Sequence, residues 1–343
     1  MKKIKIAFFS IPSKEKSYLN KKFDKKKFDL YFFKEELYES TTSWKEKLSI
    51  LNEIDVLSVF IYDKVDKKII DKAKNLKLIA TRSTGFNHID VEYAKKKKIS
   101  VANVPFYGEN TVAEHTFALI LALSRNLHKA YIRSQQSNFS LDGLRGFDLR
   151  GKVIGVIGAG SIGVHVMKIA KGFGMKVLAY DIKQNHILEE LLDFKYVGLD
   201  ELLSSSDIIT LHCPYNEQTH HLLNMNNIKK VKRGALFINT ARSGIIEPSA
   251  LYHAIDSGIF SGAGLDVFEG EELLKEENQM LTKNVPLKNV EALLKRNLLL
   301  RRENVIITPH MAFDSHEAIE RILDTTVENI IAFFENKNYY KVN

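Results

Sequence analysis

Short apolar runs alternate with stretches of helical period along the whole chain. In the first hundred residues the candidate strands are rich in β-branched and aromatic residues, and they are Ile4–Ser10, Phe28–Phe33, Val56–Ile61, Leu78–Thr81 and Ser100–Ala102. A second series comprises Lys152–Ile157, Lys176–Tyr180, Asp207–His212, Ala235–Asn239, Gly262–Leu265 and Val305–Ile307. Strands that alternate with helices predict an α/β fold with two mainly parallel sheets.

The two series are separated by a segment with a different period. From Asn110 to Tyr131 the apolar positions recur at helical spacing, at Val112, Thr116, Leu119, Ile120 and Leu123. This pattern predicts one long amphipathic helix that joins the two sheets.

Length and composition limit the class of protein. A chain of 343 residues suggests two domains, since domains average about 150 residues. The single cysteine, Cys213, excludes a disulfide framework and any multi-cysteine metal centre, and we expect no metal site. The longest apolar run, Phe117–Leu123, is too short to span a bilayer. The run near the N-terminus breaks at Pro12 and is interpreted as a strand rather than a signal peptide, so a cytoplasmic location is expected.

A net charge of +8 raises the question of nucleic-acid binding. The lysines are scattered or lie in short runs, such as Lys95–Lys98, and no aromatic ladder or zinc-finger spacing accompanies them. Such runs are typical of solvated surface. We therefore expect neither a nucleic acid nor a membrane as partner.

A glycine-rich loop follows the strand at residues 153–157. Gly158-Ala-Gly160-Ser-Ile-Gly163 stands between this strand and a helical stretch, and the next strand ends at Asp181. The glycines allow a tight turn, close approach to a pyrophosphate, and close helix–strand packing. The acid would accept hydrogen bonds from the ribose hydroxyls and repel a 2′-phosphate, so the pattern predicts a site for NAD rather than NADP.

Three polar groups stand at the ends of later strands. Arg242 follows the strand at 235–239, Asp266 and Glu271 follow the strand at 262–265, and His310 follows the strand at 305–307. Ligands of open α/β sheets bind outside the carboxyl ends of the strands. An arginine to hold a carboxylate and a histidine to exchange a proton are what hydride transfer to a 2-keto acid needs.

The sequence resembles the D-isomer-specific 2-hydroxyacid dehydrogenase family, and within it most closely the D-lactate dehydrogenases. The matching stretches run in family order over nearly the whole chain, and they are Arg82–Asp90, Val104–Tyr107, Thr111–His115, Gly158–Gly163, His212–Pro214 with Thr219 and Asn224, Asn239–Gly244, Gly264–Phe268 and Thr308–His310. The resemblance implies a Rossmann-type NAD domain (residues 104–310) and a flavodoxin-like substrate domain (residues 1–103 with 311–343).

The family's roles carry over to matching positions. The resemblance implies that Arg242 grips the substrate carboxylate, that His310 is the general acid/base, and that Glu271 is the carboxylate paired with it, which would fix its tautomer. The backbone at Thr84 and Gly85 matches the loop that holds the substrate carboxylate. The implied cofactor-binding residues are Gly158, Gly160, Ser161, Ile162, Gly163, Asp181, Cys213, Pro214, Thr219, Thr240, Ala241 and Asp266, with Cys213 as a wall residue rather than a nucleophile.

The predicted reaction is the NAD-dependent, reversible reduction of a small 2-keto acid, above all of pyruvate to D-lactate. Phe60, Tyr107 and Phe313 match positions that line the substrate side chain, and three bulky rings favour a small substrate. Other D-2-hydroxyacid dehydrogenases remain open: types acting on glyoxylate or hydroxypyruvate, 2-ketobutyrate or 2-hydroxyisocaproate. An NAD-dependent binding protein like the family's co-repressors is the alternative from another class. Phosphoglycerate and formate dehydrogenases are less favoured.

Two further expectations concern assembly and an added segment. The helix predicted at residues 110–131 has apolar residues on more than one side, which favours a homodimer. The segment 272–304 is longer than in compact family members and carries no functional interpretation.

Overall fold

The computed structural model describes residues 3–37, 49–268 and 298–343. The chain forms two compact units: Met1–Tyr107 with Ser315–Asn343, and Gly108–Asp314. Each division falls four residues after the boundary predicted from the sequence, and His310 belongs to the second unit.

The first unit is built on a five-stranded parallel sheet. Its strands are β1 (Ile4–Phe8), β2 (Phe28–Phe32), β3 (Val56–Val59), β4 (Leu78–Thr81) and β5 (Ser100–Ala102). They lie in the order β2-β1-β3-β4-β5 and pair in parallel throughout. This is the flavodoxin-like order, so the predicted fold of this unit is confirmed.

Helices cover both faces of this sheet. They are α1 (Ser13–Lys22), α2 (Lys67–Lys72), α3 (Val91–Lys96) and, after the chain returns from the second unit, α10 (His316–Phe334). The side chains of Asp66 and Asp90 accept hydrogen bonds from amides in the first turns of α2 and α3, which explains where these short helices begin. Ile6 and Phe8 pack on the face that α10 covers through Leu323 and Val327.

The second unit contains a seven-stranded parallel sheet. Its strands are β6 (Val153–Ile157), β7 (Lys176–Tyr180), β8 (Lys195–Tyr196), β9 (Ile208–Leu211), β10 (Ala235–Asn239), β11 (Phe260–Leu265) and β12 (Val305–Ile307). The order β12-β11-β10-β9-β6-β7-β8 reverses at β6, as in the Rossmann fold. The Rossmann prediction is confirmed, whereas β8, only two residues long, was not predicted.

The helices of this unit are α4 (Glu109–Ser124), α5 (Leu127–Gln135), α6 (Ser161–Gly172), α7 (His186–Leu192), α8 (Leu199–Ser205) and α9 (Pro248–Asp256). Short 3-10 turns lie at Ile228–Lys230 and Ser243–Ile245. In the described part of the chain no helix combines the length and the apolar character needed to cross a membrane.

The prediction of one helix over 110–131 is wrong, because the helix is broken between α4 and α5. Asn126 adopts a left-handed conformation with φ of +50°, which asparagine tolerates better than most residues. The returning loop donates the Phe147 N–H to the carbonyl of Ser124 at 2.9 Å. The Asn126 amide donates to the carbonyl of Arg145 at 3.2 Å. The end of α4 is therefore satisfied by a distant part of the sequence.

Candidate active site

The glycine loop needs glycine at its first position. Gly158 has a φ of +102°, and a Cβ there would lie 2.4 Å from the backbone nitrogen of Cys213. A Cβ on Gly163 would lie 2.0 Å from the carbonyl oxygen of Gly158. Both glycines therefore allow the loop, helix α6 and the end of β9 to pack without side chains between them.

The beginning of α6 is open toward the loop. Gly160 is its N-cap residue and provides no side-chain cap, and a Cβ at Gly160 would meet no atom within 4 Å. Ser161 and Ile162 form the first turn, whose amides have no partner within the helix. An uncapped helix N-terminus beside an open glycine backbone fits a pyrophosphate.

Asp181 lies beside this loop, at the end of β7. Its carboxylate accepts hydrogen bonds from the amides of Ala159 at 2.7 Å and Lys183 at 2.8 Å. The acid and the glycine loop therefore share one corner of the sheet, where the strand order reverses. This arrangement fits the ribose and pyrophosphate of NAD, and the contacts of the individual residues with the cofactor stay a prediction.

Cys213 and its neighbours follow β9. Burial raises the pKa of the Cys213 thiol to about 11, and the Asp181 carboxylate adds to the effect. The thiol therefore stays protonated at neutral pH, which supports its interpretation as a wall residue. The Thr219 hydroxyl donates to the Pro214 carbonyl at 2.6 Å, and it accepts the Asn216 N–H at 2.8 Å, which fixes this turn.

Arg242 stands in a braced turn after β10. The Asn239 side chain accepts the Ala241 N–H at 3.0 Å and donates to the Arg242 carbonyl at 3.0 Å. Thr240 is buried and its hydroxyl lies 3.1 Å from that of Thr116 on α4. The half-buried guanidinium of Arg242 contacts the Ala241 carbonyl at 2.7 Å. The turn thus holds a planar cation at the carboxyl edge of the sheet.

His310 follows β12 in a strained conformation. Its φ is +52°, and its N–H is 3.0 Å from the Asp266 carbonyl and 2.9 Å from the Thr308 carbonyl. The half-buried imidazole lies edge-on to the Phe313 ring, with centroids 6.5 Å apart. Strain of this kind persists only where the surroundings hold the backbone.

Asp266 is the residue that holds this loop. Its side chain is fully buried, and it accepts hydrogen bonds from the Thr308 hydroxyl at 2.5 Å and from the amides of Met311 and Ala312, each at 2.9 Å. The family resemblance implies that Asp266 binds the cofactor, and that contact stays a prediction. The bracing of the His310 loop was not foreseen, because the three donors lie more than forty residues away.

The predicted substrate loop belongs to the first unit, at the carboxyl ends of its strands. The Thr84 hydroxyl donates to the Val104 carbonyl at 2.8 Å, and the Asn103 amide donates to the Thr84 carbonyl at 2.9 Å. The Ser83 hydroxyl donates to the Gly85 carbonyl at 2.7 Å. These contacts fix the backbone whose amides are expected to meet a carboxylate.

A buried ionic cluster lies under Phe60. The Arg82 guanidinium is 5.7 Å from the centre of the Phe60 ring and donates to the carbonyls of Phe9 and Ser10 at 2.6 and 3.0 Å. The Asp63 carboxylate accepts the Phe60 N–H at 2.6 Å, and burial raises its pKa. Apart from the presence of Arg82 in a stretch that matches the family, nothing in the sequence pattern predicts this cluster.

The remaining predicted residues are placed as follows. The carbonyl of Tyr107, after β5, accepts a hydrogen bond from Arg321 at 2.5 Å. Glu271 lies outside the described residues, as does most of the segment 272–304. Among the described residues no group of three histidine, cysteine or acidic side chains could hold a metal ion.

Comparison with known proteins decides the family. The model of the D-isomer specific 2-hydroxyacid dehydrogenase NAD-binding domain matches residues 117–312. A 2-hydroxyacid dehydrogenase homolog of Haemophilus influenzae is 39% identical over 332 residues, which cover 95% of each chain. The chain belongs to the D-isomer-specific 2-hydroxyacid dehydrogenase family. It is therefore an NAD-dependent D-2-hydroxyacid dehydrogenase, and the glycine loop with Asp181 is where the family's cofactor fits.

Relatives within the family carry different substrate names. A solved structure described as D-lactate dehydrogenase from Aquifex aeolicus, complexed with NAD and lactic acid, is 39% identical, with a TM-score of 0.84 and coverage of 96% of each chain. A hydroxypyruvate reductase of Thermotoga maritima is also 39% identical, over 316 residues that cover 91% of this chain and 96% of the relative. Equal identity to both leaves the choice of substrate to the site itself.

Proposed function

We propose that this dehydrogenase reduces pyruvate to D-lactate with NADH, and catalyses the reverse reaction with NAD. The observation that carries the proposal is the fixed position of Phe60, whose N–H is bound by buried Asp63 and whose ring lies over buried Arg82. An aromatic side chain held in this way cannot withdraw easily to admit a long substrate chain. Tyr107 and Phe313 are proposed to contact the substrate side chain as well.

The chemical roles follow from the residue types. When bound, NADH supplies the hydride that C2 of the keto acid receives. Arg242 and the amides at Thr84 and Gly85 bind the substrate carboxylate, and a planar guanidinium suits two carboxylate oxygens better than an ammonium does. His310 gives its proton to the carbonyl oxygen as the C2–H bond forms, which leaves a neutral imidazole. Glu271 is proposed to orient that imidazole.

A substrate panel tests the proposal. We expect kcat/KM to be highest with pyruvate among pyruvate, 2-ketobutyrate, glyoxylate, hydroxypyruvate and 2-ketoisocaproate, and the product to be the D isomer. Discrimination per methylene in an apolar pocket is about 10–200-fold. Phe60→Ala should shift the preference toward 2-ketoisocaproate, whereas Leu191→Ala, which truncates an exposed side chain on α7, should not. A wild-type preference for hydroxypyruvate would refute the pyruvate assignment. Absence of turnover on every acid would favour an NAD-dependent binding protein.

The direction of the pH dependence tests the role of His310. Reduction requires the protonated imidazole and oxidation the neutral one, so the two rates should respond to pH in opposite directions. His310→Gln should lose most activity in both directions while it still binds NADH. If the rates of reduction and oxidation changed in the same direction with pH, the assignment of His310 would be contradicted.

We also propose that the enzyme is a homodimer in the cytoplasm. Helix α5 and the loop after it expose large apolar side chains, from 56% to 82% of their surface, at Leu127, Tyr131, Ile132, Phe139 and Leu141. Such a patch favours an interface, and a second copy with two-fold symmetry is the simplest partner. Light scattering after gel filtration should give twice the chain mass, and Ile132→Glu should reduce it. Cell fractionation tests the location.

A further inference from the structure

We propose that His115 is a positioning residue for the proton-transfer loop, acting through Thr308 and Asp266 on the backbone that carries His310. The proposal rests on the acid/base role of His310 proposed above. From its place in the helix predicted at residues 110–131, His115 would be expected to pack, to form a helix–helix hydrogen bond or to contact a second copy of the chain. The structure instead joins it to the loop: its Nε2 lies 3.2 Å from the Thr308 hydroxyl and 3.6 Å from Oδ1 of Asp266.

Asp266 binds three consecutive amides of the loop. The His310 N–H points to its carbonyl, and those of Met311 and Ala312 point to Oδ1 and Oδ2. Because His310 has a φ of +52°, its backbone lies in the left-handed region, which is costly for a residue other than glycine. The three hydrogen bonds offset that cost, so the direction of the imidazole depends on the orientation of one carboxylate.

Thr308 and His115 fix that orientation. An ionised carboxylate only accepts hydrogen bonds, so the 2.5 Å contact between Thr308 and Asp266 requires the hydroxyl proton of Thr308. The Thr308 oxygen must then accept from His115, and Nε2 of His115 carries a proton. The hydrogen bonds therefore converge on Asp266: His115 donates to Thr308, Thr308 donates to the carboxylate, and the amides of Met311 and Ala312 donate to the same carboxylate.

A glycine brings His115 within reach. Helix α4 packs against β11, where a Cβ on Gly264 would lie 3.0 Å from the Cβ of Leu119. Leu119 is one turn after His115 on the same helix, so the helix lies close to the sheet only two residues before Asp266. A larger residue at 264 would push the helix, and the imidazole with it, away from Thr308.

The test distinguishes the effect of losing the Thr308 and His115 hydrogen-bond donors from the effect of altered packing. Thr308→Val and His115→Phe remove the donors, whereas Thr308→Ser and His115→Gln retain a hydroxyl or an N–H. We expect the first pair to lower kcat for pyruvate reduction at least tenfold with unchanged KM for NADH, and to increase the primary isotope effect with deuterated NADH. Thr308→Ser and His115→Gln should keep kcat and the isotope effect close to the wild-type values. The matched control is Thr326→Val, which removes a buried hydroxyl bonded only within α10 among the contacts described.

Hydrogen exchange gives a readout that does not depend on turnover. In the cofactor-free protein, the peptide 308–314 should exchange at least tenfold faster in Thr308→Val and His115→Phe than in wild type, and Thr326→Val should not change it. The proposal would be overturned if Thr308→Val and His115→Phe both showed the same hydrogen exchange, kcat and isotope effect as wild type. If His310→Gln is fully active the acid/base role fails; if His310→Gln is inactive while Thr308→Val is fully active, only the positioning role fails.

Discussion

A buried histidine at the end of β9 should make folding sensitive to mild acid. Burial lowers the pKa of His212 to about 3, and its Nε2 lies 2.8 Å from the Thr210 hydroxyl. The ordinary value is 6.5, so the unfolded chain takes up a proton long before the folded protein does. Stability is therefore retained above pH 6.5 and lost as the pH falls from there toward 3.

The size of the effect follows from the two pKa values. At pH 5 the imidazole of the unfolded chain is protonated, because the pH lies about 1.5 units below its pKa. Protonation therefore lowers the free energy of unfolding by about 2 kcal/mol, at 1.36 kcal/mol per pH unit. His212 retains some exposed surface, so this is the upper limit. A loss of this size is large against the typical 5–15 kcal/mol of a domain.

Urea unfolding at pH 7.5, 6.5 and 5.0 measures this loss of stability. Between pH 7.5 and 5.0, wild type should lose up to about 2 kcal/mol more than His212→Gln, which cannot titrate. His253→Gln, which removes an exposed imidazole from α9, is the matched control and should behave like wild type. Parallel curves for wild type and His212→Gln would refute the reasoning, because they would mean that the folded protein binds a proton at His212 as easily as the unfolded chain.

Three further expectations concern the glycine loop, the ionic cluster and the thiol. Gly158→Ala should weaken NADH binding at least tenfold in a fluorescence titration, because of its positive φ and the contact with Cys213, whereas Gly172→Ala, which meets no neighbour, should not. Arg82→Met leaves the carbonyls of Phe9 and Ser10 without their guanidinium donor and should cost at least about 1–3 kcal/mol in chemical unfolding; a cost below about 0.5 kcal/mol would contradict the importance of these hydrogen bonds. Cys213 should react with thiol reagents far more slowly at pH 8 than a free thiol does, and fast modification would contradict its burial.

The fold was largely predictable because each sheet is buried on both faces. Strands such as Ile208–Leu211 are fully buried and therefore appear as continuous apolar runs. The glycine loop was predictable for a local reason, since strand, turn and helix follow one another directly. The break between α4 and α5 was not, because Asn126 and the carbonyl of Ser124 are satisfied by residues 145–147.

The site was predictable in its residue types but not in its supports. Arg242 and His310 stand at strand ends and are visible in the pattern. The Arg242 turn is braced by nearby Asn239, but the contacts around the His310 loop join distant residues: Thr308 lies 193 positions from His115, and Asp266 lies 46 from Ala312. No periodicity or motif spacing connects such pairs, which become neighbours only once the sheet is assembled.

The return of the chain to the first unit has a consequence for the order of folding during synthesis. Leu323, Val327 and Ile330 of α10 complete the core around Ile6 and Phe8, yet all of residues 108–314 are translated in between. At about 5–20 residues per second, the ribosome needs roughly 10–40 s for that stretch. The NAD-binding unit is therefore finished first, although it is second in the sequence. Until α10 emerges, the nascent first unit presents one apolar sheet face that α1 covers only in part through Leu19, a natural place for a chaperone to bind.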